Sequence, residues 1–197
     1  MTADEAMSLT AEDVLEFWFG ERARGRWFAS EPAFDDEIRS RFGAAVAAAA
    51  RGDLAAWAAT ADGALALVIL LDQFPRNIHR GTPKAFESDG RALQVATDAI
   101  ERGLDQATPL DRRMFFYLPF EHSESLPAQQ RSVELFSRWA AEHPEDRRAD
   151  ADDQIVYVLR DREIIERFGR FPHRNAVLGR TSTAAEVAFL AESFSSF

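Results

Sequence analysis

Apolar residues recur along the chain at intervals of three and four positions, a pattern that predicts α-helices. Alanine is the commonest residue and β-branched residues are sparse, which favours helix over strand. No change of composition and no Gly/Ser-rich linker divides the sequence. We therefore expect a single all-α domain over residues 1–197, with an ordered core at roughly residues 10–192. In it about eight helices stack in antiparallel pairs.

Local signals indicate where several of these helices begin. Thr10 with Asp13 and Thr183 with Glu186 have the spacing of a capping box, and Thr60 is placed to cap a further helix. The expected helices span roughly residues 10–20, 30–52, 60–74, 88–101, 108–118, 127–142, 151–168 and 183–192, with a short helical stretch at 53–57.

One of these helices is apolar on every side over residues 64–71, so we expect it at the centre of the core. At roughly a dozen residues it is too short to cross a bilayer, which takes about 20 residues. Pro75 is expected to end this helix at Phe74, because a proline disfavours the helical conformation of the residue before it.

The composition excludes several classes of protein. The 33 acidic and 23 basic side chains give a formal net charge of −10, which argues against a general nucleic-acid binder, since phosphate contacts need a clustered Lys/Arg face. No cysteine occurs, so disulfides, thiolate nucleophiles and Cys-ligated metals are excluded. Residues 1–7 include Asp4 and Glu5 where a signal peptide would be basic. We expect a cytoplasmic protein without a membrane or nucleic-acid partner.

Residues 71–80 place polar side chains at the C-terminal end of the apolar helix. Asp72 needs a partner there, since an unpaired buried charge costs several kcal/mol in practice. Arg76, four residues on, is the nearest candidate, and Asn77 follows it. An arginine from elsewhere in the chain is the alternative, because Pro75 disturbs the helical register.

Residues 115–124 bring a second polar group, Glu121, His122 and Glu124, to the end of an apolar segment. Two carboxylates and an imidazole at this spacing can perturb one another's pKa, as proton transfer requires. They also offer oxygen and nitrogen ligands to a divalent metal, although no second histidine lies at the four-residue offset of a zinc helix. The pattern assigns neither a particular metal nor a cofactor.

Residues 171–175, Phe-Pro-His-Arg-Asn, repeat residues 74–77, Phe-Pro-Arg-Asn, with one inserted histidine. If the helices pair antiparallel, both Arg-Asn corners and the Glu-His-Ser-Glu cluster lie at one end of the stack and face a shared pocket. In a second interpretation, each arginine binds free carbonyl groups at a helix C-terminus while the asparagine holds the turn, and the Glu/His cluster is solvated or salt-bridged. The candidate ligand-binding residues are Asp72, Arg76, Asn77, His173, Arg174 and Asn175.

Four blocks of the sequence resemble those of the bacterial domain-of-unknown-function family 924. They are residues 14–20 with 27–28, residues 70–77, residues 117–124, and residues 167–175 with 178–180. The resemblance extends over residues 14–190 and implies an all-helical, tetratricopeptide-like array. It implies no activity, because the function of the family is unknown. This chain has Asp161 where family members often have a histidine, which weakens a metal site built on histidines.

Three functions are compatible with these patterns. The leading hypothesis is a protein that binds a small anionic molecule or an acidic peptide end in a polar-rimmed pocket, with Arg76 and Arg174 clamping a carboxylate or phosphate. The asparagine after each arginine would add hydrogen bonds, and a histidine would tune affinity with pH.

The first alternative is a hydrolase or lyase in which Glu121 or Glu124 acts as general base, alone or through a metal, with His122 as acid and Arg174 stabilising negative charge. The second alternative is a protein-interaction scaffold that uses an exposed apolar groove. The sequence leaves the oligomeric state open.

Overall fold

The computed structural model describes residues 9–192, among which no strand occurs. The all-helical prediction is therefore confirmed for this part of the chain, and the acidic N-terminal segment, residues 1–7, lies outside it. The α-helices are α1 (Ala11–Phe19), α2 (Glu21–Arg24), α3 (Pro32–Arg51), α4 (Ala61–Val68), α5 (Phe74–Ile78), α6 (Asp89–Glu101), α7 (Leu110–Arg113), α8 (Leu118–Glu121), α9 (Leu126–Ala141), α10 (Arg148–Phe168) and α11 (Ala184–Leu190). Short 3₁₀ helices lie at Ala55–Ala59, Pro83–Ala85, Met114–Phe116, Glu145–Arg147 and Pro172–Arg174.

The chain divides into two compact units. Among the described residues, the first takes in 9–80 and 84–119, and the second takes in 81–83 and 120–192. The boundary between the larger segments falls within α8. Each unit is described by itself below.

The side-chain caps expected from the sequence are present. Thr10 and Thr183 each form a complete capping box, in which the threonine hydroxyl accepts a hydrogen bond from the backbone of Asp13 or Glu186. The acidic side chain in turn accepts a bond from the backbone N–H of its threonine. Thr60 accepts a hydrogen bond from the backbone N–H of Gly63 at the start of α4. These three helix starts were correctly predicted because a cap is set by residues only three positions apart.

The prediction that Pro75 ends the apolar helix is wrong. The chain stays helical from Ala61 to Ile78, and a π-helical turn at Ile69–Gln73 joins α4 to α5. In this wider turn the N–H of Phe74 donates to the carbonyl of Ile69, five residues earlier. Pro75 follows this wider turn in the first turn of α5, and the carbonyl of Leu71, four residues before it, accepts a hydrogen bond from the Ser88 hydroxyl at 2.7 Å in place of a backbone N–H.

The prediction of a single helix over residues 108–118 is also wrong. The chain instead forms α7, the 3₁₀ turn Met114–Phe116 and α8. Pro119 lies at the second position of α8, not behind the end of a helix. The physical reason is the same as at Pro75, since the first turn of a helix tolerates proline.

The core of the first unit surrounds α4 and the π-helical turn. Residues 64–71 are each at most 3% exposed, as expected for the helix that is apolar on all sides. α4 packs against α1 and α6, and α5 packs against α3. Aromatic rings fill the remaining space, with the ring centroids of Trp18 and Phe74 5.4 Å apart and those of Trp18 and Phe115 5.9 Å apart, both edge to face.

In the second unit, α9 and α10 pack against each other along their lengths. Their short connection returns the chain, so the pair forms an antiparallel helical hairpin. A hydrophobic cluster of Ile164, Ile165, Phe171 and Phe189 joins α10 to α11 and to the segment between them. This cluster holds the segment that carries His173 and Arg174 against the hairpin. Over residues 9–192, no helix combines the length and the apolar character required to cross a membrane.

Two helical glycines make a matched test of this packing. A Cβ at Gly63 would lie 2.0 Å from the carbonyl oxygen of Trp57, whereas a Cβ at Gly43 in α3 would meet nothing within 4 Å. We expect Gly63→Ala to lower the free energy of unfolding by about 1–3 kcal/mol through overpacking. Gly43→Ala should raise it by about 0.5–1 kcal/mol through helix propensity. Urea unfolding of both variants measures the difference, and a stabilised Gly63→Ala protein would contradict the packing described for α4.

Candidate functional site

In the polar segment of the first unit, residues 71–80, one arginine binds two carboxylates. Asp72 is fully buried, and its Oδ1 lies 3.1 Å from Nη1 of Arg76. The same guanidinium donates two hydrogen bonds of 3.1 Å to the carboxylate of Asp89 on α6. It also donates to the backbone carbonyl of Asp72. The prediction that Arg76 is the partner of Asp72 is confirmed, and the arginine ties α5 to α6.

Asn77 bonds a different carboxylate. Its amide nitrogen donates to Oδ1 of Asp35 on α3 at 2.8 Å, and Arg80 donates to both oxygens of the same carboxylate at 2.8 and 3.0 Å. Burial raises the pKa of Asp35, but the hydrogen bonds from Arg80 and Asn77 outweigh it and hold that pKa below its ordinary value. Arg76 and Asn77 are thus each engaged by a carboxylate on a neighbouring helix, and Asp72 is paired with Arg76.

In the second unit, side chains bind the backbone of the turn that follows α8. The amide nitrogen of Gln129 on α9 donates to the carbonyl oxygens of Glu121 and Ser123 at 2.5 and 2.7 Å, and to that of Phe120 at 3.4 Å. Nη1 of Arg174 donates to the carbonyl oxygen of His122 at 2.9 Å. The last carbonyl groups of a helix lack helical donors, and here the carbonyl of Phe120 also accepts a backbone bond, from the N–H of Ser123 at 3.3 Å. The turn that carries Glu121 and His122 is therefore fixed by α9 on one side and by Arg174 on the other.

Glu124 binds the segment after α10. Its carboxylate receives two hydrogen bonds from Arg180, at 2.6 and 2.9 Å, and one from the backbone N–H of Phe171, at 2.8 Å. Burial raises the pKa of Glu124, but Arg180 and the Phe171 N–H outweigh it, so the pKa lies below its ordinary value. An ionised carboxylate with three donors is a poor proton acceptor, so this arrangement favours a holding role for Glu124.

Phe171 also organises the side chains of the two residues that follow Pro172. The guanidinium carbon of Arg174 lies 4.4 Å from the Phe171 ring centroid, a cation–π contact, and the His173 ring centroid lies at 5.4 Å. Burial, with the positive charge of Arg174 beside it, lowers the pKa of His173 to about 4. Nδ1 of His173 is buried and makes no hydrogen bond to the part of the chain that the structure describes. His173 is therefore neutral at pH 7.

Asp161 on α10 joins this group, although the sequence reasoning noted it only as a departure from the family pattern. It is 7% exposed, and its Oδ1 finds no hydrogen-bond donor within residues 9–192. Gln154 lies two helical turns earlier on the same face of α10, and its amide nitrogen is 3.4 Å from Oε1 of Glu121. That face of α10 therefore points to the turn held by Arg174. Burial raises the pKa of Asp161 to about 7, against the opposing attraction of Arg174.

A sequence signal for Asp161 does exist. It lies on one face of α10 with the buried residues Val158, three positions before it, and Ala151, ten positions before it. An acidic residue on an apolar stripe of this kind needs a partner. The signal was missed because the stripe is interrupted by polar Gln154.

Asn175 turns toward α11. Its amide nitrogen donates to the hydroxyl of Ser182 at 3.0 Å. Glu186, which caps α11, is bound by Arg170 at 2.7 and 2.9 Å. The hydrogen bonds from Arg170 come first among the causes that hold the pKa of Glu186 far below its ordinary value. Asn175 thus belongs to the start of α11.

The structure brings together five of the sequence candidates within the second unit, around the turn after α8 and Phe171. They are Glu121, His122, Glu124, His173 and Arg174. Asp72, Arg76 and Asn77 lie in the first unit with their own partners. The prediction of one pocket shared by both sets stays a prediction. Over residues 9–192, no three His, Asp or Glu side chains are grouped so that they can hold a metal ion, which leaves the metal-ligand interpretation of Glu121, His122 and Glu124 without support.

Comparison with known proteins gives two matches. Residues 14–193 match the model of a family described as bacterial protein of unknown function, DUF924. The chain is also similar to a protein of unknown function from Agrobacterium tumefaciens whose structure has been solved. The two share 42% sequence identity over 93% of this chain and 97% of that one, with a TM-score of 0.80. A comparison with curated proteins finds no match.

The first-unit cluster makes a stability test. Arg76→Ala leaves the buried carboxylate of Asp72 without its counter-charge, so we expect the free energy of unfolding to fall by about 3 kcal/mol or more. The control is Arg51→Ala, whose ion pair with Asp53 is exposed on both sides and should cost less than about 1 kcal/mol. Denaturant unfolding compares the two. Equal small losses would show that Arg76 does not neutralise Asp72.

Proposed function

Because the chain belongs to the bacterial DUF924 family, whose function is unknown, we propose a function from its own geometry: the second unit binds a small anionic molecule at Arg174, with Asp161 beside it. The observation that carries the proposal is the buried carboxyl group of Asp161, whose Oδ1 has no donor among the described residues. Buried polar atoms in folded proteins almost always have partners, so an exception points to a ligand or an ordered water.

The arrangement around Arg174 supports a binding role. Its guanidinium is held by the Phe171 ring and by the carbonyl of His122, which fixes its orientation before a ligand arrives. His122 and His173 are each only partly buried, so they form the outer part of the group while Arg174 and Asp161 form the inner part. An arginine at the base of a partly accessible polar group is suited to a carboxylate or phosphate oxygen.

The proposal narrows the sequence hypothesis, which used both arginines as a clamp. Arg76 already binds the carboxylates of Asp72 and Asp89, so two negative charges oppose its one positive charge. An added anion would have to displace one of these carboxylates. Asn77 and Asn175 bond side chains of their own surroundings. We therefore place the ligand in the second unit, where Oδ1 of Asp161 has no donor among the described residues.

A second candidate function, acid–base catalysis of hydrolysis or lyase type, has one observation in its favour. Asp161 exchanges its proton near neutral pH while His173 stays unprotonated, because their pKa values are moved in opposite directions to about 7 and about 4. Pairs of groups whose surroundings separate their pKa values in this way serve acid–base chemistry in many enzymes. In this version Asp161 replaces Glu124 as the proton-transfer group.

Binding is tested with acetate, propionate and inorganic phosphate as probes in calorimetric titrations. If Arg174 contacts the anion, Arg174→Ala should weaken the affinity by about 10- to 100-fold, the loss of one charge-assisted contact. Arg131→Ala removes an exposed charge of the same unit, which pairs with Glu134 at the surface, and should leave the affinity unchanged. If none of the probes binds the wild type, or if Arg174→Ala loses its fold and not its ligand, the proposal is wrong.

Asp161 gives a pH test of the same group. Its pKa is raised in the folded state, so the folded protein holds a proton that the unfolded chain has released, and stability falls as pH rises from the ordinary carboxyl range to about 7. Asp161→Asn removes this dependence. We expect the variant to exceed the wild type by a few kcal/mol at pH 8, with the gap closing by about 1.4 kcal/mol for each pH unit below 7.

His173 acts in the opposite sense within the same window, because a lowered histidine pKa makes stability rise with pH from about 4 to its ordinary value. Taking the difference between two proteins that both contain His173 removes this contribution. Urea unfolding from pH 4.5 to 8 measures the difference in unfolding free energy between Asp161→Asn and the wild type. The control is Asp152→Asn, an exposed position on the same helix. A difference that does not change with pH would show that Asp161 ionises normally.

A further inference from the structure

The side-chain amide of Gln129 on α9 is bound at one end only. Its nitrogen donates to the carbonyl oxygens of Glu121 and Ser123. Because a carbonyl oxygen only accepts, these contacts fix which end of the amide is the nitrogen. The other end, Oε1, is fully buried and has no hydrogen-bond partner in the part of the chain that the structure describes. An amide oxygen is an acceptor, so the group that completes this bond must be a donor.

A second such oxygen, Oδ1 of Asp161, lies at the same level of the helical hairpin. α9 and α10 run antiparallel and pack along their lengths. Gln129 lies twelve residues before the end of α9, and Asp161 lies thirteen residues after the start of α10. At about 1.5 Å per residue, the two positions are within about one helical turn of each other along the hairpin. Gln129 and Gln154, which shares the Asp161 face of α10, both contact Glu121, so the two oxygens border the same part of the interior.

Ser132 adds a third buried polar atom to this face of α9. It lies about one turn after Gln129, is fully buried, and its Oγ has no hydrogen-bond partner within residues 9–192. Several neighbouring polar atoms of this kind point to a polar group that the fold itself does not supply, and ordered water is one such group.

This polar region adjoins the arginine of the proposed anion site. Arg174 donates to the carbonyl of His122, the residue between the two whose carbonyls Gln129 binds at short distance. The guanidinium and the amide therefore hold the same three-residue turn. A small ligand bound by Arg174 is placed to present a second group to Gln129.

The polarity of the surrounding groups suits a hydroxyl. Near neutral pH Asp161 offers either an acceptor oxygen or an O–H donor, because burial raises its pKa to about 7. An anion at Arg174 favours the protonated form, since a like charge nearby raises the pKa of a carboxyl group. A hydroxyl can then accept from the O–H of Asp161 and donate to Oε1 of Gln129. It is uncharged, so it brings no unpaired charge into buried surroundings.

We propose that the anionic ligand of the second unit is a small hydroxy acid, with its carboxylate at Arg174 and its hydroxyl between Asp161 and Gln129. This inference rests on the proposed function and specifies the chemical class of its ligand. The arginine provides affinity for any small carboxylate, whereas the hydroxyl contacts distinguish a hydroxy acid from a plain carboxylate of the same size.

Matched carboxylates test the hydroxyl contacts. Calorimetric titrations at pH 7 compare both enantiomers of lactate with propionate, which lacks the hydroxyl, and with isobutyrate, in which a methyl group replaces it. We expect the preferred enantiomer of lactate to bind about tenfold more tightly than propionate, the effect of its added hydrogen bonds. Isobutyrate should bind at least as weakly as propionate, because its methyl group leaves the buried oxygens unpaired.

Two variants locate the preference. Gln129→Leu removes the acceptor and should bring lactate and propionate to within about threefold of each other. Asp161→Asn should keep the preference, because an amide N–H can donate in place of the carboxyl O–H. Gln130→Leu, at an exposed position next to Gln129 on the same helix, should behave as the wild type. A melting curve shows whether each variant is folded, and the comparison of ligands on the wild type decides the matter even if Gln129→Leu does not fold.

Equal affinities for lactate and propionate would overturn the hydroxy-acid inference, leave the anion site in place, and assign the bond to Oε1 of Gln129 to ordered water. A lactate preference that survives in folded Gln129→Leu would overturn it as well. If neither lactate nor the simple anions bind, the proposed function itself is wrong.

Discussion

A polar group carried into the interior at the end of a helix must find its partner there, because leaving it unpaired costs more than most single packing contacts contribute. This constraint decides how both units are assembled. In the first unit, Asp72 enters the core on the most apolar helix and is neutralised by Arg76. In the second, the carbonyl groups after α8 are satisfied by Gln129 and Arg174, which come from different elements. In each case the polar contact selects one arrangement among the many that would bury the same apolar surface.

The two units differ in how completely the polar side chains of their clusters are paired. Asp72, Arg76 and Asn77 have partners on neighbouring helices, so their cluster is accounted for as structure. In the second unit, two buried polar atoms near Arg174, Oδ1 of Asp161 and Nδ1 of His173, make no hydrogen bond to the described residues. Trp18 Nε1 in the first unit is also buried without such a bond, but the atoms of Asp161 and His173 belong to titratable groups, and these point to chemistry that the fold alone does not require. For this reason the second unit, and not the first, carries the functional proposals.

What could be predicted from the sequence depended on distance along the chain. The cap at Thr10 and the ion pair of Asp72 with Arg76 involve residues three or four positions apart, where helical geometry fixes which side chains meet. The bond from Arg180 to Glu124 spans 56 residues, and no local pattern specifies it. Pro75 shows a different limit of sequence-based prediction. A proline ordinarily ends a helix, but here the helix continues past Pro75 because a π-helical turn precedes it.

The expectation of an anion clamp came from a pattern that lists basic residues without their counter-charges. Arginine at a helix exit signals an anion site only when its charge is not already balanced, and that balance depends on carboxylates supplied by other elements. Asp89 reverses the conclusion for Arg76, and Asp161 qualifies it for Arg174. In a chain with ten more acidic than basic side chains, most arginines are expected to be balanced in this way. The buried group in need of a partner is then an acid, Asp161, whose raised pKa lets it offer either an acceptor oxygen or an O–H donor near neutral pH.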